Sequence, residues 1–134
     1  TWLGADGATI TLERGILKAS RGLGDDLIGS SSTTPLWSKI KNKKQNYSRM
    51  LGHITGNNKI SKRVFRCDIQ KTNSGKFIEI WDINFEVARF DENCFNGSLT
   101  VKNTYYVDTK GTVRRPSQYH SDTIGYILTE RLDR

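Results

Sequence analysis

Apolar residues recur at every second position through much of the chain's second half, and that spacing leaves little choice of backbone. Period two puts alternate side chains on opposite faces of a strand, whereas a helix would scatter the same residues around its circumference. In KRVFRCDIQ, Phe65, Cys67 and Ile69 alternate with Arg66, Asp68 and Gln70, and in SLTVKNTYYV, Leu99, Val101, Tyr105 and Val107 share one face. Both read as half-buried antiparallel strands. Between them, FIEIWDINFEVARF alternates twice but changes phase at Ile80-Trp81: Ile78 and Ile80 lie on one parity, Trp81, Ile83, Phe85 and Val87 on the other. A slip of one residue turns every later side chain to the opposite face, so a bulge, or a bend between two strands, is expected there.

Turn signals punctuate these runs. GADG at 4–7, NSG at 73–75 and DTKG at 108–111 lie between apolar segments, where Gly can take the positive φ of a tight hairpin. Helix signals are few. Asp25 or Asp26 in GDDLIGSSS can cap one short turn, and PLWSKIKNKKQNYSRML can start a helix at Pro35 with Leu36, Ile40, Tyr47 and Met50 on one side. Lys39, Lys41, Lys43 and Lys44 would then form a solvated face or loop. The expected fold is all-β, an antiparallel meander forming a bent sandwich-like or open-barrel sheet with one or two short helices over an end. A chain of 134 residues fits one domain spanning 1–134, with a core that needs no metal or disulfide scaffold.

Lys and Arg exceed Asp and Glu by 21 to 14, a net charge of +7. That balance suits polyanions such as nucleic acid, acidic polysaccharide or lipid headgroups, and equally serves solubility alone. No stretch approaches the roughly 20 apolar residues of a membrane-spanning helix. GLGDDLIG fails as a phosphate loop, because Leu27 stands where a third Gly is needed and Asp25-Asp26 would repel phosphate. His53 and His120, with Cys67 and Cys94, lack the paired spacings of a structural zinc site. A Cys/His nucleophile pair stays open by distance in sequence, though nothing marks either cysteine as activated; the carboxylates are scattered apart from Asp25-Asp26, so hydrolytic acid/base chemistry finds no pair, and neither a metal nor a cofactor is expected. Arg114-Arg115-Pro116-Ser117 has the look of a kinase target, and Asn46-Tyr47-Ser48 and Asn96-Gly97-Ser98 of glycosylation acceptors; patterns this short arise by chance. Two cysteines fit one disulfide in an oxidising compartment, which would stabilise by roughly 3–4 kcal/mol, or two buried free thiols in a cytosolic protein.

YYVDTKGTVRRPSQY, from Tyr105 to Tyr119, is the densest cluster of reactive side chains. It reads as a hairpin tip and its return strand. Pro116 cannot donate to a ladder, so the return is expected at an edge or a bulge. Arg114, Arg115, Gln118 and Tyr119 would alternate across it and offer guanidinium and amide donors beside a ring, a surface suited to an acidic polysaccharide or a partner protein.

TWLGADGATITLERGILKASRGLGDDLIGS resembles a segment of the YjbF/GfcB family, the group 4 capsule polysaccharide lipoproteins. In that family an aromatic-rich strand, an ADG-like turn and a second strand lead into Gly-Leu-Gly-x-Asp-Leu, here Gly22, Leu23, Gly24, Asp25, Asp26 and Leu27. The resemblance thins between 36 and 60, then continues through Cys67, ENC at 92–94 and VKNTYYVDTKGTVRRPSQY, which is similar to the family's Asn-x-Tyr-Trp-Val-Asp turn and Arg-rich return. Tyr106 stands where the family often has Trp, and HSDTIGYILTE replaces a Pro/Gly-rich closing segment. The resemblance implies a non-catalytic periplasmic lipoprotein of Gram-negative bacteria, tethered to the outer membrane, that assists capsule or exopolysaccharide assembly or secretion. Its partners would be secretion proteins or acidic polysaccharide, with no nucleic acid. The chain opens TWLGADG without an initiator Met, so the signal and lipidated Cys are expected upstream of Thr1. Family cysteines at the matching positions imply a Cys67–Cys94 disulfide. Two other readings stand beside this one: a small basic β-barrel binding nucleic acid through Trp37, Tyr47 and the lysines between them, and a hydrolase acting on the glycan.

Overall fold

Alternating sequence becomes alternating burial wherever a strand has one face against the core. The computed structural model describes residues 2–3, 8–13, 16–21, 26–31, 40, 45–54, 59–97, 99–122 and 124–131, and among these described residues there is no helix. Ten strands follow in order: β1 (Trp2–Leu3), β2 (Thr9–Glu13), β3 (Ile16–Arg21), β4 (Asp26–Ser31), β5 (Gln45–Ile54), β6 (Ile60–Ile80), β7 (Ile83–Asn96), β8 (Leu99–Asp108), β9 (Ser117–Ser121) and β10 (Gly125–Leu128). Strands β1 to β3 form one sheet in chain order, and β4 to β10 form a second, seven-stranded sheet, also in chain order. Every neighbouring pair is antiparallel. This is the expected meander, curled into a half-barrel as the twist of successive strands accumulates.

The expected short helices give way to strands where they fall on described residues. Asp26 and Leu27 do not open a helical turn; they pair with Ile54 and His53 of β5, and the Leu27 N–H donates to Ser20 Oγ at 2.9 Å. Gln45–Ile54 pairs with β6 over its whole length, so the second half of the proposed Pro35 helix is β5, with Arg49, Leu51 and His53 buried at alternate positions. Pairing with β6 along the whole strand, joined by β4 from Met50 onward, outweighs local helix propensity here. The remainder of that helix, at 35–39 and 41–44, and the GADG turn at 4–7 lie outside the described residues.

NSG at 73–75 is not a hairpin turn either. It sits inside β6, where the register against β7 shifts on both sides of Asn73 and Gly75 takes φ +70. The β6–β7 turn is Trp81-Asp82, both residues at positive φ (51 and 66), the two-residue turn whose twist suits a hairpin. The phase change read at Ile80-Trp81 is thus a bend between two strands: Ile80 and Ile83 become cross-strand partners. DTKG is a hairpin tip as expected, with Gly111 N–H donating to the Asp108 carbonyl at 3.0 Å and Val107 bridged to Val113.

The concave face of the large sheet carries Phe65, Cys67 and Ile69 from β6, Phe90, Glu92 and Cys94 from β7, and Val101, Asn103, Tyr105 and Val107 from β8, all buried. Ile10 of β2 with Ile16 and Leu17 of β3 close over them. Cys67 and Cys94 are direct partners across β6 and β7, their Cα atoms 4.1 Å apart and their sulfurs 2.08 Å apart. The ladder register alone brings the two Cβ atoms together, as the closely spaced pairs of an antiparallel ladder do. Alkylation of the denatured, unreduced protein is expected to label neither cysteine, and reduction to lower the denaturant-unfolding free energy by about 3–4 kcal/mol; two alkylated thiols without reduction would contradict the bond.

Candidate functional site

The polar groups inside the concave face converge on one carboxylate. Glu92 is 3% exposed, and its Oε1 accepts from Asn103 Nδ2 at 2.7 Å, Arg49 Nη1 at 2.8 Å and the Tyr105 hydroxyl at 3.0 Å. These donors stand on β5 and β8, on either side of the β6–β7 pair. Asn103 Oδ1 in turn accepts the Tyr119 N–H at 2.8 Å, which brings β9 into the same net. Burial pushes the Glu92 carboxyl up to about 7, against the hydrogen bonds from Asn103 and Tyr105 that favour its charged form. Burial, with the charge of Glu92 beside it, holds the Tyr105 hydroxyl well above its ordinary value. Arg49, Asn103 and Tyr119 line a space of about 10 Å³ with Leu51, Phe65, Cys94 and Val101, the size of about one water. Glu92 also lies with Cys67 and Cys94 in a group whose ligand atoms fall within 4.8 Å, but the two sulfurs are bonded to each other.

A second tie runs through His120, which is fully buried. Its Nε2 is 2.7 Å from Ser20 Oγ, its Nδ1 2.8 Å from Ser121 Oγ, and its carbonyl lies 2.6 Å from His53 Nε2. Ser20 and His120 have the separation of a nucleophile and its base. Both are buried, however, and Ser20 Oγ also takes the Leu27 N–H, so the pair fastens β3, β4 and β9 to one another.

The return from the DTKG turn is not the exposed edge expected for it. Pro116 lies just before β9, whose Ser117 pairs with Thr104 of β8, while β10 runs along its other side. Arg114 is 4% exposed: its Nε donates to Asp108 Oδ2 at 2.9 Å, its Nη1 to the Arg131 carbonyl at 3.1 Å, and its guanidinium lies 4.2 Å from the Phe85 ring centroid. Gln118 is buried and its Oε1 accepts the Leu17 N–H at 2.8 Å. Tyr119 is buried and its hydroxyl donates to Asp122. Burial first, and then that carboxylate, raise its pKa to about 12. Arg115, only half-buried, pairs with Glu130 at 2.8 Å and with the Glu79 carbonyl at 2.8 Å. The structure thus joins Arg114 and Arg115 to the β6–β7 hairpin but directs Gln118 and Tyr119 elsewhere, and all four are engaged within the chain.

Burial alone would raise the Asp108 carboxyl, but hydrogen bonds from the Thr112 and Lys110 N–H groups and from Arg114 outweigh it and hold it below its ordinary value. Of the nucleic-acid surface read from the sequence, Trp37 and the lysines lie outside the described residues, and the Tyr47 ring packs against both core clusters. No sequence signal marked Glu92 or Arg49, because a buried ion pair between distant strands leaves no local pattern. A groove of about 260 Å³ opens at the end of the concave face, lined by Lys71, Ser74, Glu86, Ala88, Phe90 and Val107 among others.

Comparison with known proteins agrees with this architecture. The family described as group 4 capsule polysaccharide lipoprotein gfcB, YjbF, matches residues 1–132. The crystal structure of the hypothetical lipoprotein YmcC from Escherichia coli (K12) superposes with a TM-score of 0.75 at 18% identity, covering 98% of this chain and 73% of that one, and so shares its fold. No curated protein matches the sequence.

Glu92→Ala is expected to destabilise by about 3–5 kcal/mol, since it leaves Arg49 buried without its carboxylate. In a cycle of Glu92→Ala, Arg49→Met and the double variant, the double should cost clearly less than the two singles together, and additive losses would deny the coupling. Asp108, with a lowered pKa, contributes stability that is present above its unfolded value near pH ~4 and is lost as pH falls through the folded one. Thermal unfolding from pH 7 to 2 should therefore show the deficit of Asp108→Asn shrinking below about pH 4; a deficit independent of pH would refute the assignment.

Proposed function

The chain belongs to the group 4 capsule polysaccharide lipoprotein family, YjbF, and from that membership we propose that it is a non-catalytic periplasmic lipoprotein, anchored to the outer membrane, that assists capsule or exopolysaccharide assembly or secretion. The observation that carries this reading is the family match across residues 1–132. The all-strand fold shared with a lipoprotein supports it. So does the cystine at Cys67 and Cys94, which persists in oxidising compartments such as the periplasm. Residues 1–134 would act as one β-rich periplasmic domain, with the lipid anchor upstream of Thr1.

A binding role is favoured over catalysis because the groups with catalytic chemistry, Glu92 and the Ser20–His120 pair, are enclosed and engaged in holding strands together. A net charge of +7 over the whole chain suits an acidic patch on a secretion protein. Among the four residues singled out in the return segment, Arg115 is the one whose ion-pair partner, Glu130, is open to solvent, so a carboxylate from a partner could replace it. Tyr47, partly buried against both core clusters, disfavours the nucleic-acid alternative.

Deletion of the gene in its native host is expected to reduce surface or secreted polysaccharide several-fold, with restoration by the full-length precursor but not by a version whose lipidation cysteine is replaced. Unchanged polysaccharide on deletion would refute the role. Equal restoration by the unlipidated version would refute the anchor.

A further inference from the structure

Beyond the last registers of β5 and β8, Gln45 with Ile69 and Asp108 with Val87, the β6–β7 ribbon continues as a two-stranded arm ending at Trp81-Asp82. Its faces differ. One carries Ile78, Ile80, Phe85 and Val87, which pack together with Tyr106, the Phe85 ring lying under the Arg114 guanidinium. The other carries Phe77 opposite Glu86 and Glu79 opposite Asn84. By strand alternation this second face runs on through Ala88 to Phe90, which is where the 260 Å³ groove opens between Lys71, Glu86 and Val107.

Two large rings stand in solvent here: Phe77 is 66% exposed, and Trp81, at the tip, 81%. Trp81 also has φ 51, the left-handed region that large side chains rarely adopt and that Asn or Gly usually fills at the first position of such a turn. Neither its backbone nor its packing explains a tryptophan at this position. Around the rings lie the carboxylates of Glu79, Asp82 and Glu86, the amide of Asn84 and, at the groove, the ammonium of Lys71. Although the whole chain is basic, this patch leans acidic.

We infer that this face of the arm is a binding platform for an uncharged polysaccharide. The C–H face of a pyranose is apolar and lies flat on an aromatic ring, so Phe77 and Trp81 supply stacking area while Glu79, Glu86 and Asn84 meet the hydroxyls that ring the sugar. The same carboxylates repel phosphate, uronate and anionic lipid headgroups, which decides among polymers and surfaces. The choice of a glycan over a protein rests on the proposed role in polysaccharide handling.

The test is affinity electrophoresis of the 134-residue chain through gels containing dextran, galactomannan or glucomannan, with polygalacturonate gels and phosphatidylglycerol vesicles alongside. At least one neutral polymer should retard the protein, and Trp81→Ala and Phe77→Ala should each weaken that retention tenfold or more. Trp81→Gly separates function from folding: it removes the strained side chain, so the melting temperature should hold or rise while retention is lost. Absence of retention by every neutral polymer, undiminished retention by Trp81→Ala, or preference for polygalacturonate or vesicles would overturn the platform. If deletion in the host reduces polysaccharide and Trp81→Gly restores it fully, the platform is overturned while the proposed role stands. If deletion changes nothing yet Trp81-dependent retention by a neutral polymer is seen, the platform is upheld and the role is not.

Discussion

The structure depends on a single buried carboxylate with three donors. Each strand of a meander pairs only with its neighbours, so nothing in the ladder itself ties β5 to β8, and the β8–β9 ladder rests on the single register of Thr104 with Ser117. Glu92 makes that connection by accepting from Arg49, Asn103 and Tyr105 at once, and Asn103 passes it on to the Tyr119 amide. A carboxylate so enclosed is tolerated because three donors converge on it, and the same enclosure makes loss of a partner expensive. The cystine beside it, one position away along the same inward-facing row, locks β6 to β7 where the carboxylate sits. Sheet curvature and the tie of the small sheet through Ser20 and His120 then follow around a fixed centre.

The second organising feature is a change of buried face along one ribbon. Near Cys67 and Cys94 the concave face of β6 and β7 is covered; past the bulges at Asn73 the convex face is covered instead, by Tyr106 and Arg114. Bulges add twist without breaking the ladder, so one pair of strands can serve the core at one end and leave its concave face open at the other. The conspicuous Tyr105–Tyr119 stretch belongs to this switch: Asp108 and Arg114 hold the turn against Phe85, and the exposed Phe77 ring stands on the opposite side.

Much of this was legible in the residues. Alternation at Phe65–Ile69 and Leu99–Val107 identified strands and their inward faces correctly, and Gly111 marked a true turn, because in each case the local pattern and the global fold agree. Reading failed where tertiary partners override local preference. Asp26 and residues 45–50 have helix-compatible sequence but are taken up by strand pairing, Asp26 with Ile54 and 45–50 with β6, and Trp81-Asp82 lacks the Asn or Gly that announces a two-residue turn. At 114–119 the residue types suggest a polar surface by their chemistry alone. Whether Arg114 and Gln118 face water depends on Asp108, Arg131 and Leu17, contacts that no spacing rule encodes.

A rigid floor and an open arm give a coherent division of labour for a capsule polysaccharide lipoprotein: the buried net fixes the sheet, and the arm presents rings and carboxylates beyond it. Residue-resolved amide hydrogen exchange tests that division most directly. The Tyr119 and Leu17 amides, which donate to the side chains of Asn103 and Gln118, should exchange only with global unfolding, as slowly as the β7 and β8 ladder around Glu92, while the amides of the arm from 77 to 85 exchange faster. Fast exchange at Tyr119 with the ladder still protected, or slowest exchange in the arm, would contradict a fold centred on Glu92.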